Sequence, residues 1–174
     1  MKIFIGTYNI ASQLNDWEYG FKKNGCKVSI GSFGNHTHLV SGDFDYLITD
    51  HYFKSTIIKS PVFNKMYNEF LYKIHGSYRR KLLRKLVKEY DVFLFIWESI
   101  LDNFEDFEII KAAGKKIVVV FVGDDIRWQP AMKQEFRMHG MLPLEYHNYD
   151  YSLNALNRKL MYLRKAERYH EKIL

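Results

Sequence analysis

Three near-continuous apolar runs, each ended abruptly by polar residues, set the frame for this chain. Lys2–Gly6 reads KIFIG, Val92–Ile96 reads VFLFI and Ile117–Val122 reads IVVVFV. A strand with one wet face alternates apolar and polar residues, whereas an unbroken apolar run belongs where both faces are covered. Helical periodicity fills the intervals. Leu14, Trp17 and Phe21 recur at helical spacing, with Gly25 just past the end as a cap. Cys26, Val28 and Ile30 then alternate as in a half-exposed strand. Residues 2–30 thus read strand, helix, strand, with a crossover long enough for a parallel pair.

Further along, Asp45–Thr49 (DYLIT) is a candidate third strand. Phe63, Met66, Phe70, Ile74, Leu82, Leu86 and Tyr90 predict a long helix from about Phe63 to Glu89, split in two at Gly76-Ser77. A short helix ends at Gly114, another runs from about Pro130 to His139, and a basic amphipathic helix runs from Tyr151 to Leu174. Strands alternating with helices predict an α/β fold: a Rossmann-like three-layer sandwich with a mostly parallel sheet and helices on both faces. A length of 174 residues suits one such domain.

Composition narrows the function classes. With 47% hydrophobic and 26% charged residues the chain is not of the disordered class. The net charge of +6 permits an acidic partner: nucleic acid, anionic lipid or a phosphorylated metabolite. Nucleic acid is the weakest of these, because the aromatic residues fall in core-type positions and no RNA-binding signature is present. Cys26 is the single cysteine, which excludes an internal disulfide and fits a reducing compartment. No apolar run approaches the ~20 residues that span a bilayer, and the N-terminus lacks a signal-peptide core. These features together point to the cytoplasm.

In a parallel sheet, ligands bind beyond the carboxyl ends of the strands. Gly123–Trp128 (GDDIRW) sits at such an end. Asp124 or Asp125 can accept hydrogen bonds from sugar hydroxyls, and Arg127 can grip a phosphate or an aspartate in bidentate fashion. The plainer use of the same residues is a helix cap and an ion pair. The first strand ends in GTYNIAS, where Gly6, Asn9 and Ser12 are candidate contacts for a diphosphate at a helix N-terminus. The plainer reading makes Asn9 or Ser12 the N-cap. The G-x-G-x-x-G dinucleotide fingerprint is absent. Trp97 and Glu98 end the Val92 strand on the same rim. Glu98 and Asp125 are the candidates for an acid or base. Arg79, Arg80, Lys81, Arg84, Lys85 and Lys88 form a basic helical face suited either to solvent or to an anionic membrane surface. His36, His38 and His51 lack the spacing and the Cys or Glu company of a metal site, so no metal is expected.

The order of these pieces resembles the N-terminal domain of GT-B-fold glycosyltransferases, particularly the bacterial group-1-like enzymes of capsule and lipopolysaccharide assembly. Such proteins often open with a strand, a loop like DNIAG, a helix and G-x-x-V; here TYNIAS and NGCKVSI stand there. They often continue through a helix ending K-x-x-G-K-K-I-V to F-H-G-S-D-I-R; here the stretch reads FEIIKAAGKKIVVVFVGDDIR. Asp125 and Arg127 match the D-I-R, while Val122 and Asp124 stand where relatives carry histidine and serine. The resemblance implies the acceptor-side half of an enzyme that moves a sugar from a nucleotide-diphosphate donor to a saccharide or lipid-linked acceptor in surface polysaccharide synthesis. It implies no cofactor beyond that donor substrate. It further implies a separate C-terminal donor domain as partner, a place at the inner membrane face, and negligible turnover by this half alone. The alternative from the residues themselves is a non-enzymatic Rossmann-like module binding a nucleotide, an anionic lipid headgroup or a partner protein.

Overall fold

The computed structural model describes residues 1–9, 12–33, 44–48, 61–123, 127–142, 150–169 and 172–173; for 61–64, 68, 172 and 173 it describes the backbone alone. Alternate residues of the buried strands divide the interior into two unlike halves. In β1 (Lys2–Thr7), Phe4 joins one core cluster and Ile3 and Ile5 the other. In β4 (Val92–Ile96), Phe93 and Phe95 lie with Phe4, while Leu94 and Ile96 lie with the isoleucines. In β5 (Lys116–Val120), Ile117 and Val119 take the first side and Val118 and Val120 the second. One face of the sheet is therefore packed with rings and the other with aliphatic chains. Period-two alternation in strands buried on both faces produces this result.

Two further strands, β2 (Lys27–Ser32) and β3 (Tyr46–Leu47), lie on one side of β1, and β6 (Lys172–Ile173) lies beyond β5. The sheet has the order β3-β2-β1-β4-β5-β6, and every neighbouring pair is parallel. Helix α1 (Gln13–Lys23) covers the aliphatic face through Leu14, with Trp17 and Phe21 partly buried beside it. The ring-rich face is covered by α2 (Pro61–Glu89), α3 (Glu105–Ala112) and α5 (Leu153–Tyr169), through Leu83, Leu86, Phe107, Ile110, Tyr162 and Ala166. The remaining helix, α4 (Gln129–Met138), follows β5. Phe104 and Tyr162 stack at 4.0 Å between centroids, which fixes α5 against the turn that leads into α3. The α/β fold with helices on both faces matches the expectation.

Three details differ from the sequence reading. Helix α2 continues through Gly76-Ser77, because a lone helical glycine costs only about 1 kcal/mol and no proline follows to break the ladder. The last helix stops at Tyr169, and Lys172–Ile173 adds a strand in register with Val118 and Val119. Strand β2 alternates from Lys27 to Ile30 as expected, but it runs on to Gly31 and Ser32, which are both buried between β1 and β3. At Gly31 a side chain would overlap the Phe4 ring at 2.5 Å, so the ring occupies the space a Cβ would take.

Candidate functional site

The sheet is built outward in both directions from its middle. β2 and β3 extend it one way from β1, and β4, β5 and β6 extend it the other way. The connection leaving β1 covers the aliphatic face, and the one leaving β4 covers the ring-rich face. Between β1 and β4 the two connections part, and a crevice opens at the carboxyl ends of the strands.

Hydrogen bonds set the strand tips side by side at this edge. The Phe33 amide donates to the Thr7 carbonyl at 3.2 Å, and the Thr7 hydroxyl donates to the Glu98 carbonyl at 2.7 Å. The Trp97 amide reaches the Val120 carbonyl at 3.4 Å. The tips of β2, β1, β4 and β5 thus lie along one rim, as an all-parallel sheet requires.

A cavity of about 280 Å³ lies at this rim. Tyr8 and Phe33, whose rings pack 5.1 Å apart, line it from the tips of β1 and β2. Glu98, Ser99 and Asn103 line it from the segment after β4, and Arg158 and Met161 from α5. The segment from Trp97 to Phe104 forms much of this wall. It contains three non-glycine residues at positive φ: Trp97 at 74°, Asn103 at 55° and Phe104 at 57°. Such conformations are costly for side chains with a Cβ and persist where surrounding structure over-determines them.

Two buried groups supply that restraint. Arg79, only 2% exposed on the inner side of α2, holds Asp102 through two hydrogen bonds of 3.1 and 2.9 Å and also donates to the Ile100 carbonyl at 3.3 Å. From the other side, Asp106 at the start of α3 accepts the Ile100 amide at 2.7 Å and the Leu101 amide at 3.4 Å. Asp106 is fully buried, and loss of water pushes its carboxyl up to about 6, against the pull of its hydrogen bonds from Ser99 and the two amides. A second cavity, of about 350 Å³, lies across the Arg79–Asp102 pair, bordered by Tyr72, Lys73, Gly76, Arg80 and Glu105. The Tyr72 phenol is raised by its hydrogen bond to Asp102.

No family model, curated protein or solved structure matches this chain. Its chemistry therefore has to be read from the residues themselves.

Of the residues singled out in the sequence, Glu98 lines the crevice and several others do not. Gly6 is buried within β1, where a Cβ would press on the Phe4 ring at 3.1 Å and the Gly31 carbonyl at 3.2 Å. Asn9 is 1% exposed. Its Oδ1 accepts the Leu14 amide at 3.1 Å and its Nδ2 donates to Asn15 Oδ1 at 2.8 Å. The side chain thus braces the start of α1, which takes it away from any ligand. Ser12 stands at the N-cap position in the left-handed region, at φ 63°, without a side-chain capping bond. Trp97 is half-buried at the β4 tip, next to the crevice residues but outside the lining.

After β5, Gly123 has φ 133°, and a Cβ there would meet the Arg127 guanidinium at 3.2 Å. The Arg127 amide closes the turn on the Gly123 carbonyl at 2.9 Å. Glycine is thus required at 123 by its backbone and by the approach of Arg127. Asp124 and Asp125 lie outside the described residues, as do His36, His38 and His51. Among the described residues no group of three or more His, Cys, Asp or Glu side chains is gathered around a point.

The basic face also divides. Arg79 turns inward to Asp102, which corrects its assignment to a membrane-facing set: position 79 falls on the same side of α2 as buried Leu82, Leu83 and Leu86. Arg80 is exposed and pairs with Glu105 at 2.6 Å. Lys81, Arg84, Lys85 and Lys88 are exposed, with Lys85 over the Tyr46 ring at 5.2 Å. The sequence reading missed Tyr8, Phe33, Asn103 and Arg158. Tyr8 and Asn103 adjoin strand and helix ends and were within reach of the strand-end rule. Nothing in the final helix distinguishes Arg158 from its other basic residues.

Proposed function

We propose that this chain is the acceptor-side half of a two-domain glycosyltransferase, with its crevice receiving a saccharide or lipid-linked acceptor while a partner domain holds the nucleotide-diphosphate sugar. The observation that carries this reading is the crevice at the β1–β4 switch, where Glu98 shares one cavity with the rings of Tyr8 and Phe33. Aromatic rings give a sugar an apolar platform, and Tyr8 adds a hydroxyl. Asn103 and Arg158 offer donors to hydroxyls or to an anionic substituent. Glu98 is the candidate general base for an acceptor hydroxyl, since a carboxylate within hydrogen-bond reach can take its proton as the oxygen bonds to the sugar's anomeric carbon and the bond from that carbon to the nucleoside diphosphate breaks, the diphosphate leaving with the electron pair. The sequence resemblance between about Tyr90 and Arg127 supports the same reading. The opposite side of the cleft, the donor nucleotide and the place of the enzyme in surface polysaccharide synthesis come from that resemblance.

A second reading, a nucleotide-binding module, is favoured by the strand order, which is also that of dinucleotide-binding Rossmann folds. The turn after β1 weakens it: Gly6 is buried in the strand, and Asn9 already occupies the Leu14 amide.

NMR titration of the chain separates the two readings. Oligosaccharides should shift resonances of Tyr8, Phe33, Ser99 and Asn103, with nucleoside diphosphates producing no comparable shifts. The reverse pattern would overturn the acceptor reading. In the longest natural reading frame, Glu98→Gln should lower kcat by roughly 10²- to 10⁴-fold, the range of a lost general base. An unchanged kcat would remove Glu98 from that role.

A further inference from the structure

The outer side of α2 changes character along its length. In the amino-terminal half, Met66, Phe70 and Ile74 follow one another every four residues and are 63%, 61% and 46% exposed. Tyr67 and Tyr78 are exposed at the edge of this stripe. Residues four apart share one side of a helix, and Lys81, Arg84 and Lys88 carry the same side onward at spacings of three and four. The inner side does the opposite, since its apolar residues, Leu82, Leu83 and Leu86, belong to the carboxyl-terminal half. The helix holds eight Lys and Arg against two Glu, an excess equal to the net charge of +6 of the whole chain. The rest of the molecule is neutral.

We infer that this outer side of α2 docks on an anionic lipid surface, with Met66, Phe70 and Ile74 entering the interfacial layer and Lys81, Arg84 and Lys88 lying over the headgroups. The inference deepens the acceptor reading, whose resemblance implies a membrane face, by naming the surface that makes the contact, and it rests on exposed residues outside both cavities. Three features favour lipid over a protein partner. Exposed apolar residues lie in line with several lysines, whereas the cores of protein interfaces are depleted in lysine. Lysine and arginine stems can lie along apolar surface while their charges stay in water, as an interfacial helix requires. Tyrosines with an apolar ring and a polar tip suit the boundary between headgroups and acyl chains. Among the described residues no helix is long and apolar enough to cross a membrane, so this contact lies on the bilayer instead of through it.

Flotation of the chain with phosphatidylcholine vesicles, with and without phosphatidylglycerol, at low and high salt, tests the inference. Binding is expected to the anionic vesicles, to weaken with salt, and to fall about tenfold or more in Phe70→Ser, the loss that follows from one phenyl ring no longer buried. The pair Lys81→Glu and Arg84→Glu should abolish it. Phe70→Trp keeps an apolar ring at the site, and the emission of that variant should move further to the blue than that of the natural chain when anionic vesicles are added. Absence of binding to anionic vesicles, binding unchanged in a folded Phe70→Ser, or a Phe70→Trp emission that moves no further than that of the natural chain would each overturn the inference. So would a dimer in solution that Phe70→Ser dissociates. Saccharide titration without vesicles reads the crevice alone, so each proposal can fail independently.

Discussion

The apolar residues in the two halves of α2 meet different fates. From Arg79 onward the helix turns Leu82, Leu83 and Leu86 to the sheet, joins Tyr90 in the ring-rich core, and presents lysines and arginines to solvent. Before that point, Met66, Phe70 and Ile74 face outward and most described side chains are exposed, His75 being the buried one. The inner half gains stability by burying apolar area in the fold. The outer half leaves such area in water, where it contributes nothing to folding and stays available to another surface. Hydrophobic periodicity identifies a helix, but it does not say which apolar face meets the core.

The largest test of this contrast is Arg79→Ala, which removes the buried charge that joins the inner half to Asp102 and the Ile100 carbonyl. Breaking a fully buried pair by deleting one partner costs about 3–5 kcal/mol, and because the Asp102 carboxylate left behind is partly exposed, the loss here should fall at the lower end of that range. Arg84→Ala, five residues on and exposed, should stay within about 0.5 kcal/mol. Equal midpoints for the two variants in urea denaturation, at unchanged m-value, would erase the distinction between the faces.

The next effect concerns the other restraint on the crevice wall. Because Asp106 is raised to about 6 by burial, the native state holds a proton that the unfolded chain releases near its ordinary value of about 3.9. Between about pH 4 and pH 6 the native state therefore binds more protons, and this group's contribution to stability rises as pH falls through that window. Relative to Asp106→Asn, the natural chain should gain about 2–3 kcal/mol between pH 7 and pH 4. A difference that stays flat across those pH values would show that the carboxyl titrates normally.

The smallest effect lies at the junction of the two halves. Gly76 is helical, and a Cβ there would meet no heavy atom within 4 Å. Gly76→Ala should raise the thermal midpoint, by a stability gain of about 0.5–1 kcal/mol. A loss of stability would mean that the junction needs glycine, and that the halves are joined by a hinge instead of a continuous helix.

The crevice was only partly legible beforehand. The rule that strand ends carry function led to the β1, β4 and β5 tips, and it reached Glu98, which lines the crevice. The same rule also selected Gly6 and Asn9, whose burial removes them from a ligand's reach. Nothing local separates an asparagine that braces a helix from one that awaits a phosphate, because both uses need the same side chain at the same turn. Arg79 was grouped with its basic neighbours for a similar reason. Whether an arginine in a run of cations faces water or a carboxylate 23 residues later depends on the packing angle of the helix.

The sequence alone determined the class of fold, because unbroken apolar strands between amphipathic helices leave few ways to cover both faces of a sheet other than the parallel α/β layering. It also determined where α1, β4, β5 and α4 lie to within a few residues, since periodicity and punctuation are local properties. Only the tertiary structure decided that β1 and β4 are neighbours, that Tyr8, Phe33, Glu98 and Arg158 share one cavity, and which side of α2 stays uncovered. These are contacts between residues far apart in the chain. Their energies arise from which surfaces the whole assembly buries together, and no short window of sequence contains that information.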